Sequence, residues 1–223
     1  MGRARAHCGV AVGQLMAGCD AGGVERAVRA AAATIEQQHA ELSTLDRAIG
    51  DGDHGENLNK GFRAVVAKLD DAVSETPGAV LKLVATTLIS KVGGASGPLF
   101  GTAFLRAATA VGDAAELDGA AVAAALAAAR DGVVHRGKAE PGDKTMVDAL
   151  TPAVDAAGGA HGSPAEVLDA AAAAAERGAA DTEPLVARKG RASYLGERSA
   201  GHRDPGAQSS ALLLRALASA AVG

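Results

Sequence analysis

The stretch from Ala120 to Ala129 reads AAVAAALAAA, and Ala170 to Ala175 is a run of alanines. Alanine has the highest intrinsic helix propensity, whereas strands draw on β-branched and aromatic side chains. Aromatic residues make up only 2% of the 223 residues, and tryptophan is absent from the sequence. These stretches therefore predict helices that pack closely through small side chains, and they favour an all-α fold.

Outside these stretches, apolar residues recur every three or four positions, with Gly and Pro between the runs, which predicts about eight helices. We place seven of them at residues 24–42, 56–72, 79–91, 99–111, 117–136, 164–180 and 207–221. The remaining helix, sixth in chain order, begins after Asp143, its predicted N-cap. Since no linker divides these helices, we predict one domain over residues 23–223 and an N-terminal extension over residues 1–22.

The extension contains Arg3 and Arg5, followed by a short apolar stretch that two glycines and Gln14 interrupt. This stretch is too weak for an export signal, and no later segment is long enough to span a bilayer. We interpret the extension as disordered or as the result of a start codon placed too early, and we predict a cytoplasmic protein without a membrane partner. The net charge of −4 and the scarcity of aromatic residues argue against nucleic acid as a partner.

Three carboxylates lie close together in the sequence, at Asp46, Asp51 and Asp53, with glycines between them. Glycine lets the backbone turn tightly, and converging carboxylates repel one another unless a cation neutralises them. Oxygen ligands of this kind select hard cations such as Mg²⁺. A calcium EF-hand loop starting at Asp51 does not fit, because Glu56 and Phe62 occupy the places that require Gly and Glu. On the three aspartates alone, a solvated Asp-Gly turn that caps the next helix explains the pattern equally well.

Two further loops have the composition of phosphate-binding segments. The sequence GGASG from Gly93 opens a predicted helix, where backbone N–H groups and the helix dipole attract anions. Close contact between helices explains these glycines equally well. The stretch from Ala187 to Gly206 carries five arginines or lysines before Asp204. Together with the acidic turn it predicts a two-sided phosphate clamp, with a solvated charged loop as the alternative.

Four passages together resemble the L subunit of bacterial dihydroxyacetone kinase, which is similar to the C-terminal nucleotide domain of single-chain dihydroxyacetone kinases. They read LDRAIGDGDHGENLNKGF from Leu45, GGASGPLFGTAFLRAA from Gly93, RGKAEPGDKTMVDAL from Arg136 and ARKGRASYLGERSAGHRDPGA from Ala187. The resemblance covers residues 23–221. It implies a closed barrel of eight antiparallel helices, with the nucleotide site at one end.

By this resemblance, Asp46, Asp51 and Asp53 bind two Mg²⁺ ions that bridge the phosphates of ADP or ATP. The nucleotide contacts that it implies are His54, Gly55, Glu56, Asn57, Ala95, Ser96, Gly137, Met146, Arg191, Asp204, Pro205 and Gly206. The family often has an uncharged residue in place of Glu56, so this side chain either points outward or adds charge near the metals. The resemblance implies no covalent nucleophile, because catalysis rests on positioning and on charge stabilisation.

The resemblance implies phosphoryl transfer to dihydroxyacetone held on a separate K subunit, so this chain alone is expected to be inactive as a kinase. In the phosphotransferase-system version, ADP stays bound and a phosphohistidine-carrying M subunit rephosphorylates it. In the other version, ATP exchanges in every cycle, and the substrate is dihydroxyacetone or a related short ketose. A free-standing chain of this length favours the first version.

A nucleotide-sensing regulatory protein is the alternative of a different class. The loss of a metal-binding aspartate would be its mark in the sequence, and all three aspartates are present. For the kinase, we expect a homodimer or a complex with the other subunits.

Overall fold

The computed structural model describes residues 19–222, which fold almost entirely into helices. The helices are α1 (Ala21–Ile49), α2 (His54–Asp71), α3 (Pro77–Lys91), α4 (Ser96–Val111), α5 (Gly119–Gly137), α6 (Met146–Gly159), α7 (Pro164–Asp181) and α8 (Pro205–Ala221). A 3-10 helix, Arg191–Ser199, lies between α7 and α8. The strands β1 (Cys19–Asp20) and β2 (Glu116–Leu117) pair antiparallel. The prediction of an all-α fold is confirmed.

The helices pack in the order of the chain. Each one contacts the next, and α8 contacts both α7 and α1. Large buried side chains such as Leu58 and Phe62 fill the core on the α2 side, whereas α7 buries the small residues Ala171, Ala172 and Ala175. The alanine run therefore packs as the sequence predicts. A closed barrel goes beyond these pairwise contacts and stays a prediction.

Helix α1 is longer than the sequence predicts, because it continues past Leu42 to Ile49. The hydroxyl of Thr44 donates to the carbonyl oxygen of Ala40 at 2.9 Å, which satisfies the side chain inside the helix. The predicted end at Leu42 is therefore wrong. As a consequence, Asp46 lies in the last turn of α1 and not in the loop that follows.

The N-cap of α6 also differs from the prediction. Thr145 caps the helix, since its side chain accepts a hydrogen bond from the backbone N–H of Val147 at 3.2 Å. The carboxylate of Asp148 accepts from the N–H of Thr145 at 2.7 Å, which completes a capping box. Asp143 accepts from the N–H of Glu140 instead, so it stabilises the preceding turn.

The predicted boundary between extension and domain falls inside the first turn of α1, because Asp20 is the N-cap of this helix and accepts from the N–H of Gly23 at 2.7 Å. The rest of the predicted extension, residues 1–18, lies outside the described residues, and the domain division stays a prediction. None of the helices within residues 19–222 combines the length and the hydrophobicity that a membrane span requires.

Candidate functional site

A cavity of about 190 Å³ lies where four helices begin. The starts of α2, α4, α6 and α8 contribute to its lining, as do the last turn of α1 and the 3-10 helix. Each helix start presents backbone N–H groups and the positive end of a helix dipole, so these four starts together favour an anion. The predicted contacts in this lining are His54, Ala95, Ser96, Met146, Arg191, Asp204, Pro205 and Gly206.

The three predicted metal ligands lie together on one wall of this cavity. Carboxylate oxygens of Asp46, Asp51 and Asp53 are all within 4.8 Å of one another. Gly52 allows this arrangement, because its φ of 80° is in the left-handed region that other residues rarely adopt. One carboxylate oxygen of Asp46 accepts from the backbone N–H of His54 at 3.1 Å, which links the end of α1 to the start of α2. This all-carboxylate donor set fits hard divalent cations.

Lys189 and Arg191 add positive charge to the same cavity lining. The guanidinium of Arg191 forms an ion pair with the carboxylate of Asp51. Both side chains are partly exposed, at 65% and 35%, so solvent weakens this pair and a stronger ligand can replace it. The structure therefore brings the acidic turn and the basic loop together, as the clamp prediction requires.

A small apolar cluster holds the 3-10 helix against the end of α1. Its buried members are Ile49, Ala187 and Ala192, with Leu195 packed beside them. Ile49 lies between Asp46 and Asp51 in the chain, and Ala192 follows Arg191. The cluster thus holds the acidic and the basic residues of the cavity next to one another.

His54 connects three helices at the cavity floor. One ring nitrogen, Nδ1, lies 2.9 Å from the hydroxyl of Ser96, and Nε2 lies 2.9 Å from the hydroxyl of Ser209. Burial lowers the pKa of His54, against the opposing effect of Asp46 and Asp53. A ring with both nitrogens engaged in this way positions the starts of α2 and α4 in addition to lining the cavity.

Two predicted contacts, Gly55 and Glu56, interact with α1 behind the cavity wall. A Cβ atom on Gly55 would lie 2.0 Å from the carbonyl oxygen of His39, so only glycine lets α2 approach α1 this closely. The carboxylate of Glu56 pairs with the ring of His39 at 2.8 Å. Of the two orientations expected for Glu56, the structure shows the one directed away from the three aspartates.

The other two predicted contacts outside the lining, Asn57 and Gly137, lie beside residues that do line the cavity. A Cβ atom on Gly93 would lie 3.4 Å from the side-chain amide of Asn57, so Asn57 lies beside the glycine loop. A Cβ atom on Gly137 would lie 3.3 Å from the side chain of Leu99, which lines the cavity. Asn57 and Gly137 therefore touch residues of the cavity wall.

Several lining residues were not among the predicted metal ligands and nucleotide contacts, although some lie in the two predicted phosphate-binding loops. They are Ile49, Gly50, Gly93, Gly94, Leu99, Phe100, Lys144, Thr145, Lys189, Gly190 and Ala192. All of them belong to the four quoted passages, so the motifs contain the signal. The apolar members could not be distinguished from core residues by periodicity alone, because a helix start contributes to both the core and the cavity.

Asp204 is buried and caps α8, since its carboxylate accepts from the backbone N–H of Ala207 at 2.7 Å. Its own N–H donates to the hydroxyl of Thr182 at 3.0 Å. Burial raises the pKa of Asp204 to about 7, partly offset by the hydrogen bond from Ala207 and by Lys144. This carboxyl group therefore titrates near neutral pH at the edge of the cavity.

The titration of Asp204 predicts a loss of stability with rising pH. The folded chain keeps a proton on this carboxyl up to about pH 7, whereas the unfolded chain loses it near the ordinary pKa of 3.8. The free energy of unfolding should therefore fall by up to about 4 kcal/mol between these values. The variant Asp204→Asn keeps the cap and lacks the titration. In urea unfolding at several pH values, the free energy of unfolding should depend less on pH for the variant than for wild type. An equal pH dependence in both proteins contradicts the assignment of this titration to Asp204.

A family match and several relatives of known name point to the same protein family. The DAK2 domain family matches residues 48–219. The PEP-dependent dihydroxyacetone kinase, ADP-binding subunit DhaL, of Escherichia coli is 49% identical over 183 residues, which cover 81% of this chain and 87% of that protein. The PTS-dependent dihydroxyacetone kinase, ADP-binding subunit DhaL, of Lactococcus lactis is 41% identical over 82% of this chain and 88% of its own length. The L-erythrulose 1-kinase of Mycolicibacterium smegmatis is 40% identical over 80% of this chain, but over only 32% of its own length.

Solved structures agree with these relatives. The crystal structure of the dihydroxyacetone kinase of C. freundii superposes with a TM-score of 0.69 at 27% identity, covering 98% of this chain and 38% of that chain. The same kinase in complex with AMP-PNP and Mg²⁺ superposes with a TM-score of 0.66 at 26% identity, again over 98% of this chain and 38% of that chain. Because the family match spans most of the sequence and two relatives align over nearly their whole length, the chain belongs to the DAK2 domain family.

Proposed function

We propose that this chain is the ADP-binding subunit of a phosphotransferase-system-dependent dihydroxyacetone kinase. One observation carries the proposal: three converging carboxylates line a single cavity together with four helix starts and a basic loop. A nucleotide diphosphate with divalent cations needs this combination, because its phosphates require positive partners and its cations require oxygen ligands. Two relatives, named as ADP-binding subunits of a PEP-dependent and a PTS-dependent dihydroxyacetone kinase, match the chain over 87% and 88% of their own lengths, which supports the same conclusion.

In this proposal, Asp46, Asp51 and Asp53 hold two Mg²⁺ ions. When bound, the ions neutralise phosphate oxygens and stabilise the charge that develops during transfer. The helix start at Ser96 directs N–H groups towards the phosphates, whereas the N–H of His54 holds the carboxylate of Asp46. Lys189 and Arg191 contact the phosphates. Leu99, Phe100 and Met146 form an apolar surface for the base.

The acceptor hydroxyl belongs to dihydroxyacetone on a separate K subunit. Asp51 and Asp53 are exposed, so the metal side of the cavity opens to the surface from which such a partner approaches. The side chains of this chain hold and orient the donor phosphates, while the partner presents the ketose. A phosphohistidine-carrying M subunit then restores the phosphoryl group on the retained ADP, and the complex works in the cytoplasm.

A second candidate is the nucleotide-binding part of an ATP-dependent kinase for dihydroxyacetone or another short ketose. The similarity to the L-erythrulose 1-kinase favours it, since that protein shares 40% identity over most of this chain. The two candidates use the same cavity and differ in whether the nucleotide exchanges during each cycle. The fate of bound ADP therefore discriminates between them.

Native mass spectrometry of the purified chain tests the proposal directly. We expect the mass to exceed that of the polypeptide by one ADP and two magnesium ions, because a coenzyme that never exchanges must be held through purification. Addition of K subunit and ATP should then give no turnover, whereas K and phosphorylated M subunits should.

Three other outcomes decide against the proposal. A nucleotide-free chain that turns over ATP with the K subunit selects the second candidate. A nucleotide-loaded chain that transfers no phosphoryl group with any partner indicates a regulatory protein that senses nucleotide. A chain with neither nucleotide nor affinity for it overturns all of these functions.

A further inference from the structure

Lys144 lines the cavity, yet its ammonium group is directed into the protein. Its side chain is 1% exposed, and Nζ donates to the backbone carbonyl oxygens of Thr182 at 2.7 Å, Leu185 at 3.0 Å and Glu183 at 3.2 Å. A fourth carbonyl oxygen, that of His202, also accepts from this group. An ammonium has three protons, so these four acceptors engage all of them and leave none for a ligand.

The backbone at Lys144 is also unusual. Its φ of 62° lies in the left-handed region, which is costly for a residue with a side chain. The preceding carbonyl, that of Asp143, accepts from the N–H of Arg188 at 3.0 Å. The following residue, Thr145, caps α6. The turn at residues 143–145 therefore joins the start of α6 to the connection between α7 and α8.

The four carbonyls bracket the basic part of that connection. Three of them precede the 3-10 helix and one follows it, so a single ammonium gathers both ends of residues 182–202. Between these ends lie Lys189 and Arg191, two further basic residues of the cavity lining. The hydroxyl of Thr182 in addition accepts from the N–H of Asp204, which starts α8.

We propose that Lys144 is a positioning residue for the nucleotide site, which holds the loop of residues 182–202 closed at its base so that Arg191 faces the phosphates. This inference rests on the proposed function in one respect only, the contact of Arg191 with phosphate. Burial lowers the pKa of Lys144, while the neighbouring carboxylates of Asp204, Glu183 and Asp148 oppose that effect. The Lys144 ammonium therefore affects the nucleotide site through the position of the loop of residues 182–202.

A double-mutant cycle tests this role. Lys144→Met keeps the length of the side chain and removes its donors, and Arg191→Met removes the proposed phosphate contact. We expect Lys144→Met to weaken Mg–ADP binding by about tenfold by calorimetry, and the double variant to bind within about twofold of Arg191→Met, because both changes remove the same contact. Multiplied effects of the two changes overturn the proposal, as does an unchanged affinity of Lys144→Met where Arg191→Met alone weakens binding.

Ser96→Ala, at the start of α4, serves as the matched control. Its effect on ADP affinity should multiply with that of Lys144→Met, because Ser96 does not depend on the loop. If the methionine variant fails to fold, Lys144→Gln, which retains an amide donor one bond closer to the backbone, enters the same cycle.

Hydrogen exchange separates this proposal from the proposed function. In the nucleotide-free chain, the Lys144 variants should exchange faster than wild type in the segment 186–203, while α3 and α4 stay protected as before. This result supports the positioning of the loop even if Arg191→Met leaves ADP affinity unchanged, in which case only the phosphate role of Arg191 fails. Equal exchange in segment 186–203, or faster exchange spread evenly over all helices, overturns the proposal.

Discussion

Asp53→Asn is expected to lower the affinity for ADP in the presence of Mg²⁺ on the order of 100-fold, because a divalent cation loses a charged ligand worth several kcal/mol. Isothermal titration with ADP and excess Mg²⁺ measures this change. In EDTA, the effect of Asp53→Asn on the ADP affinity should disappear or change sign. Without a cation, the three carboxylates repel the phosphates, so the variant should then bind ADP at least as tightly as wild type.

The three aspartates should not respond equally. Asp51→Asn releases Arg191 from its ion pair, and the freed guanidinium can bind phosphate, so we expect a smaller loss than for Asp53→Asn. Asp46→Asn retains an amide oxygen that can accept from the N–H of His54, so this variant should lose affinity while its melting temperature stays close to wild type.

Asp113→Asn is the matched control, because Asp113 is an exposed carboxylate in the turn after α4. It should bind Mg–ADP as wild type does. Wild-type affinity in all three cavity variants contradicts the metal site, and equal losses with and without Mg²⁺ show that the carboxylates act in another way.

Gly55→Ala is expected to destabilise the fold by about 3 kcal/mol, because the added methyl group must displace the carbonyl oxygen of His39 and push α2 away from α1. For a chain of this size, such a change lowers the melting temperature by about 6–12 °C. The start of α2 follows Asp53 and carries His54, so the same displacement should weaken Mg–ADP binding. Thermal unfolding followed by circular dichroism, combined with calorimetry, measures both effects.

Gly158→Ala is the control for this substitution. A Cβ atom at Gly158, near the end of α6, meets nothing within 4 Å. Since alanine favours a helix over glycine, this variant should be stabilised by about 0.5–1 kcal/mol or remain unchanged. If Gly55→Ala melts at the wild-type temperature, α1 and α2 can move apart without a loss of stability, and the packing role of Gly55 is contradicted.

Local sequence was sufficient for the class of fold and for most helices. Alanine propensity and the spacing of apolar residues act over a few residues, so they predict helices without knowledge of their partners. The same holds for the acidic turn, whose aspartates and glycines are neighbours in the chain. The ends of helices were less predictable. The extension of α1 past Leu42 depends on a side-chain bond within the helix and on the burial of Ser43 and Ile49.

An all-α chain with an acidic turn, a glycine loop and a basic loop follows from local sequence patterns alone. Tertiary packing brings four helix starts together around these loops, places His54 against Ser209, 155 positions later, and lets Lys144 donate to carbonyls at both ends of residues 182–202. Such contacts join groups that are far apart in the chain. Their distances follow from how the helices pack, whereas the sequence pattern reports only on each helix and its immediate neighbours.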